Sequence, residues 1–231
     1  MKKSASSPLA FAPSRSFIAP SILSSDICDL AKHLPVLERE AEWLHLDVMD
    51  GCFVPNISFG FPIIKSIRPK TRMFFDAHLM IVNPEWYFER FAEAGSGAIT
   101  FHLEAVEKPL EALKQIHSLG KRAGISLNDE TPVESVLPFL QEADLVLVMG
   151  APAGFGGQSL QPKNIEKIRT LRKKIDSKKL STLVSVDCGV NGETGKAVIE
   201  AGVDILVMGS AVFKSEKPVE ELRKLQQGLG L

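Results

Sequence analysis

Four stretches of this chain repeat one local design: REAEWLHLD at 39–47, AEAGSGAITFH at 92–102, QEADLVLVM at 141–149 and IEAGVDILVM at 199–208. Each reads as the end of a helix, a turn, and then an apolar, β-prone run. Runs with little polar alternation need cover on both faces, which a parallel sheet wrapped in helices provides. A repeated helix-to-strand junction therefore points to successive β–α units.

Extending the same reading to the whole chain yields eight strand candidates: 16–23, 43–49, 73–80, 97–104, 122–128, 144–150, 182–189 and 204–209. Helical stretches alternate with them at 26–41, 62–68, 84–95, 108–120, 131–140, 162–175, 192–202 and 217–228. Several open with Asp, Pro or Thr-Pro and close at Gly, the usual boundary chemistry. Eight such units in 231 residues predict an α/β fold of one domain, a (β/α)8 TIM barrel over 17–231. An open doubly wound sheet is the weaker alternative, because no GxGxxG follows the first strand. Residues 1–16, MKKSASSPLAFAPSRS, carry no acidic residue and are rich in Ser and Pro; a disordered N-terminal extension is expected there.

A formal net charge of −1 offers no basic excess for nucleic acid, and no run of about 18 apolar residues is present to span a membrane. Cys28, Cys52 and Cys188 form no CxxC pair and are odd in number, so they read as reduced thiols of a cytoplasmic protein.

Active sites of such barrels lie where the strands end, so strand-end residues are the candidates. The second strand ends in HLDVMDG at 45–51. His45 and Asp47 share one face of it, an expensive arrangement in an apolar strand unless something pairs with them. His78 ends the third strand, His102 and Glu104 the fourth, Asn128 the fifth and Asp187 the seventh, whereas His33 and His117 read as helix-surface residues. His45, Asp47, His78 and Asp187 together make a candidate N2O2 site for one divalent ion, with Zn, Fe, Mn and Co all open. His102 and Glu104 read as a structural hydrogen-bonded pair. Met49, Met80, Met149 and Met208 sit at strand ends and read as packing at the barrel top.

GFGGQS at 154–159 follows the sixth strand, Cys188-Gly189 the seventh, and Gly209-Ser210-Ala211 the eighth. Each alone is no more than a turn, but the loops after the last strands are where these barrels grip phosphate. A phosphorylated small molecule is the expected ligand, with no organic cofactor. Beside a metal, Asp47 and Asp187 reach a ketose phosphate from different strands and can serve as base and acid in inverting the carbon next to its carbonyl through an enediolate. No strand-end lysine offers a Schiff base, and no serine sits in a GxSxG elbow.

IAPSIL (18–23), HLDVMDG, FVPN (53–56), HLM (78–80), FHLEA (101–105), VLVM (146–149), GFGGQS, VDCG (186–189) and GSAVF (209–213) together closely resemble the ribulose-phosphate 3-epimerase family. The resemblance implies a ribulose-phosphate-binding barrel that interconverts D-ribulose 5-phosphate and D-xylulose 5-phosphate, an isomerase of the pentose phosphate pathway, with a homo-oligomer as the expected assembly. It assigns metal ligation to His45, Asp47, His78 and Asp187, and acid/base catalysis to Asp47 and Asp187. It assigns substrate contact to Ser21, His78, Gly154, Phe155, Gly156, Gly157, Asp187, Cys188, Gly189, Gly209 and Ser210. The chain departs from the family at Cys188, where glycine is usual, at Cys52, where histidine is common, and in GAPAGFGGQ, whose proline comes one place early. If the backbone at 188 is left-handed, Cys188 strains the site. A 3-epimerase of another ketose phosphate, such as D-allulose 6-phosphate, is the nearest alternative. A metal-free decarboxylase barrel expects D-x-K-x-x-D, against which HLDVMD has no lysine. A non-catalytic sugar-phosphate sensor is the remaining, different class.

Overall fold

All eight expected strands form in the computed structural model, which describes residues 16–231. They are β1 (Phe17–Pro20), β2 (Trp43–Met49), β3 (Phe74–Met80), β4 (Ala98–His102), β5 (Arg122–Leu127), β6 (Leu145–Met149), β7 (Leu183–Asp187) and β8 (Ile205–Met208). Neighbours in sequence pair in parallel from β2 through β8, and β8 pairs with β1. Between β1 and β2 a single parallel bridge, Ser21 to His45, draws the barrel nearly shut. Closure thus runs through two of the residues singled out as functional.

Six of the seven connections between strands carry α-helix, α1 (Leu30–Leu37), α2 (Phe61–Ile67), α3 (Phe88–Ala94), α4 (Pro109–Ser118), α5 (Pro162–Ser177) and α6 (Thr194–Glu200), and β8 is followed by a single turn α7 (Ser210–Phe213) and α8 (Pro218–Leu229). Their buried residues fall at helical spacing, as with Ile168, Leu171 and Ile175 of α5, and cover the outside of the sheet. The helix expected over 131–140 is instead two 3-10 turns, Val133–Ser135 and Leu137–Phe139. Pro132 and Pro138 each remove an N–H donor there, and that interrupts a continuous α-helical ladder. Strand ends are also shorter than read: Ile22–Ser24 and Leu103–Ala105 are 3-10 turns, so Glu104 leaves the strand just as His102 ends it. The extension expected at 1–16 lies outside the described residues except for Ser16, whose hydroxyl donates to Val203 O at 2.7 Å.

The barrel interior is graded from apolar to polar. At the bottom Trp43 lies between Phe17 and Phe74, with ring centroids 5.5 and 4.4 Å away, and Leu145, Leu183 and Ile205 fill the rest. Above that plug the inward positions of β2 to β4 become His45, Asp76, Asp47, His78, Thr100 and His102, all buried. Small residues make the room. A Cβ on Gly124 would stand 2.2 Å from Thr100 Oγ1, so glycine there lets Thr100 point inward.

Candidate active site and metal centre

His45 and Asp47 do point the same way, into the top of the barrel, because β2 alternates its faces. His45 Nε2 lies 3.2 Å from Asp47 Oδ1, and His78 Nδ1 approaches the same oxygen at 3.0 Å. Asp187 comes across from β7, its Oδ2 3.6 Å from His78 Nδ1. One ligand atom from each of His45, Asp47, His78 and Asp187 falls within 4.8 Å of the others. Ser21 Oγ donates to the remaining Asp47 oxygen at 2.5 Å.

Two imidazole nitrogens and two carboxylate oxygens around one point are a donor set for a borderline divalent ion. The electrostatics ask for the same thing. Burial opposes charge on His45, yet Asp47 and Asp76 outweigh it and raise its pKa well above the ordinary imidazole value. His78 is likewise raised against burial, by Asp187 and Asp47. Burial works against ionised Asp47 too, but the two imidazoles hold it well below the usual carboxylate range. The cluster demands positive charge, which either protons on the imidazoles or a divalent ion supplies. The residues present fit the ion.

Behind the cluster stand two arms. His45 Nδ1 donates to Asp76 Oδ2 at 3.0 Å, and Thr100 Oγ1 donates to the other Asp76 oxygen at 3.1 Å. His78 Nε2 meets His102 Nε2 at 2.9 Å, and His102 Nδ1 meets Glu104 Oε2 at 3.3 Å. Burial brings the His102 pKa down to about 4. Glu104, despite its burial, is held at about 2 by His102 and Thr131.

Above the cluster opens a cavity of about 290 Å³ with Asp47 and Asp187 in its wall and Met49, Met80 and Met149 among its apolar lining. Met208, expected beside them, faces outward into the main core instead. His45 and His78 are sealed beneath this cavity and fully buried. Ser21, the 154–157 segment, Cys188, Gly189, Gly209 and Ser210 all line it. Asn56 of FVPN donates to Gly154 O at 2.8 Å and so ties that segment to the loop after β2. Gln158 Nε2 donates to Pro152 O at 2.7 Å and to Phe155 O at 2.9 Å, closing the glycine loop on itself.

Residues 17–213 match the model of the Ribulose-phosphate 3 epimerase family. The chain belongs to that family. The ribulose-phosphate 3-epimerase of Mycobacterium tuberculosis is 42% identical over 213 residues, covering 92% of this chain and 93% of that protein. The cytoplasmic isoform from Oryza sativa subsp. japonica is 41% identical over 217 residues, covering 92% and 93%. A solved orotidine 5'-phosphate decarboxylase from Pyrococcus horikoshii superposes with a TM-score of 0.68 at 13% identity, over 93% of this chain and 100% of that one, and shares the fold alone.

Against this isomerase family the departure at 188 has a structural consequence. Cys188 has φ +76°, as does Gly189, where a Cβ would also run into Leu160 N at 2.3 Å. Only position 188 has room for a side chain, and its thiol sits 3.5 Å from Phe155 O, with burial first and Asp187 second pushing its pKa up to about 12. Left-handed backbone costs a non-glycine residue about 1–2 kcal/mol, whereas glycine gives back roughly 0.5–1 kcal/mol in backbone entropy. Cys188→Gly is therefore expected to stabilise the protein by about 0.5–1 kcal/mol and to raise Tm by about 2 °C. A lower Tm in a thermal melt would show that the thiol's packing against Gln158 and Phe155 outweighs the strain.

Sequence reasoning missed three residues. Asp76 stands two places before His78 on the same strand face, and that D-x-H spacing was its available signal. Lys214 lines the cavity, and a Cβ on Gly157 would stand 3.8 Å from its Nζ. It follows Ser210 by four residues across α7, which puts both on one side of that turn. Ser24 also lines the cavity, its hydroxyl 3.4 and 3.0 Å from Cβ positions built on Gly156 and Gly209.

Proposed function

We propose that this protein is a divalent-metal-dependent 3-epimerase that interconverts D-ribulose 5-phosphate and D-xylulose 5-phosphate, an isomerase of the pentose phosphate pathway. The observation that carries the reading is the pair Asp47 and Asp187 in the wall of one cavity, each within 4.8 Å reach of two buried imidazoles. His45, Asp47, His78 and Asp187 hold the ion, which is Zn²⁺, Fe²⁺, Mn²⁺ or Co²⁺, and no organic cofactor is used. When bound, the ion supplies Lewis-acid stabilisation of negative charge developing on the sugar's carbonyl and neighbouring hydroxyl oxygens.

The aspartates move the proton. One carboxylate removes the C3 proton from one face of the sugar, and the other, protonated, returns a proton to the opposite face of the enediolate; the roles exchange in the reverse direction. β2 and β7 are separated by β1 and β8 in the barrel, so their aspartates approach from different sides. Asp187 keeps 15% of its side chain accessible and Asp47 only 2%, so Asp187 is the one that exchanges its proton with the cavity. Ser21 holds the Asp47 carboxylate in place through its 2.5 Å hydrogen bond.

The phosphate end lies against Gly154–Gly157, Cys188, Gly189, Gly209 and Ser210, with Lys214 adding charge. His78 lies beneath the cavity as one of the four residues that would hold the ion, rather than in the cavity wall. The protein works in the cytoplasm, a reading supported by its likeness to the rice cytoplasmic isoform, and as a homo-oligomer. Among the described residues no helix is long and apolar enough to cross a membrane. The test is kcat/KM on D-ribulose 5-phosphate against D-allulose 6-phosphate, with at least a tenfold preference for the pentulose expected, equivalent to about 1.4 kcal/mol. The reverse preference would reassign the sugar, and turnover of neither would return the sensor reading.

A further inference from the structure

His45 and His78 are held from behind by different means, and the second arm leaves a question of proton placement. His45 reaches a carboxylate, Asp76, directly. His78 reaches another imidazole: its Nε2 and that of His102 face each other at 2.9 Å with the ring planes only 22° apart. Two ring nitrogens at that distance share one proton, and which ring owns it is a choice of tautomer.

The rest of the arm makes the choice. Glu104 is ringed by donors: Oε1 accepts from Asn128 N at 2.8 Å and from the Thr131 hydroxyl, and Oε2 faces His102 Nδ1 at 3.3 Å. A carboxylate so placed requires a proton on His102 Nδ1. That leaves neutral His102 bare at Nε2, which must then accept from His78 Nε2–H. With Nε2 protonated, neutral His78 keeps its lone pair on Nδ1, the nitrogen that points to Asp47 and Asp187, where a divalent ion would take the place of a proton. Phe53 packs against His102, with ring centroids 4.8 Å apart.

We propose that Glu104, acting through His102, is a positioning residue that sets the tautomer of His78 and so keeps Nδ1 free to ligate a divalent ion. The inference rests on the four-residue cluster being the metal site. It also makes the loop after β5 part of the centre, since residues 128 and 131 hold Glu104.

Zn²⁺-loaded protein and its Glu104→Gln variant test this. Glutamine can present its amide N–H₂ to His102 and favour the opposite tautomer, so Zn²⁺ affinity, read by competition with a chromogenic chelator, is expected to fall about tenfold. In the Zn²⁺-loaded parent, histidine-selective ¹⁵N NMR is expected to show His102 protonated at Nδ1 and bare at Nε2, and His78 protonated at Nε2. The parent spectrum decides the matter even if E104Q does not fold. A parent His102 protonated at Nε2, or E104Q binding Zn²⁺ as tightly as the parent, overturns the relay and leaves the metal site standing. A parent that binds no Zn²⁺ overturns the metal site, and the relay with it.

Discussion

Replacing Asp187 by Asn is expected to lower kcat by about three orders of magnitude while the barrel stays folded. The amide can neither take the C3 proton nor deliver one. It can still accept the 2.7 Å hydrogen bond that Cys188 N makes to Asp187 Oδ1, so the turn after β7 keeps its geometry. Asp187 is also the most exposed of the four proposed ligands, which makes its removal the least costly to the fold. Metal content has to be measured alongside turnover, because losing one carboxylate also weakens the ion's hold. Full metal content with turnover near that of the parent would overturn the two-aspartate mechanism. The same substitution at Asp47 would be a poorer test: that carboxylate is buried and serves His45, His78 and Ser21 together, so its loss disturbs the whole cluster.

Chelation is expected to abolish turnover of D-ribulose 5-phosphate and to lower Tm by about 5–10 °C, with both restored by Zn²⁺, Mn²⁺ or Fe²⁺. An ion present at a hundred times its Kd stabilises the folded state by about 2.7 kcal/mol, and each kcal/mol is worth about 2–4 °C in a domain of this size. Without the ion, protons on His45 and His78 must balance Asp47 and Asp76. The sign follows from the directions of these shifts. The imidazole pKa values are raised on folding, so their contribution is full below about 6.5 and is lost as pH rises through the folded values. The metal-free protein should therefore lose stability toward alkaline pH. Bound metal, which needs bare imidazoles, reverses that dependence on this flank. Thermal melts across pH with and without chelator give the comparison; turnover and Tm unaffected by chelation would remove the metal from the mechanism.

Some features were legible because they are local. Alternation along β2 alone puts His45 and Asp47 on one face, and the apolar runs alone mark eight strands. The 131–140 segment lies between two strands and opens with Thr-Pro, as a helix would, whereas Pro132 and Pro138 leave it two 3-10 turns. The D-x-H spacing in MFFDAHLM puts Asp76 on the face of His78, but only the register between β2 and β3 sets it against His45.

The amino-acid order by itself therefore determined the β–α alternation, the family and the inward face that carries HxD, since each depends on residues a few positions apart. Only the tertiary structure decided the rest. His45 lies level with Asp76 because of the register between β2 and β3. His102 reaches His78, and Lys214 approaches Gly157, through the curvature that brings distant strands round one axis. The left-handed backbone at Cys188 arises where the turn after β7 is pressed against the loop after β6, close to Leu160. Those relations are set by strand pairing and barrel closure, long-range constraints that no local pattern of side chains encodes.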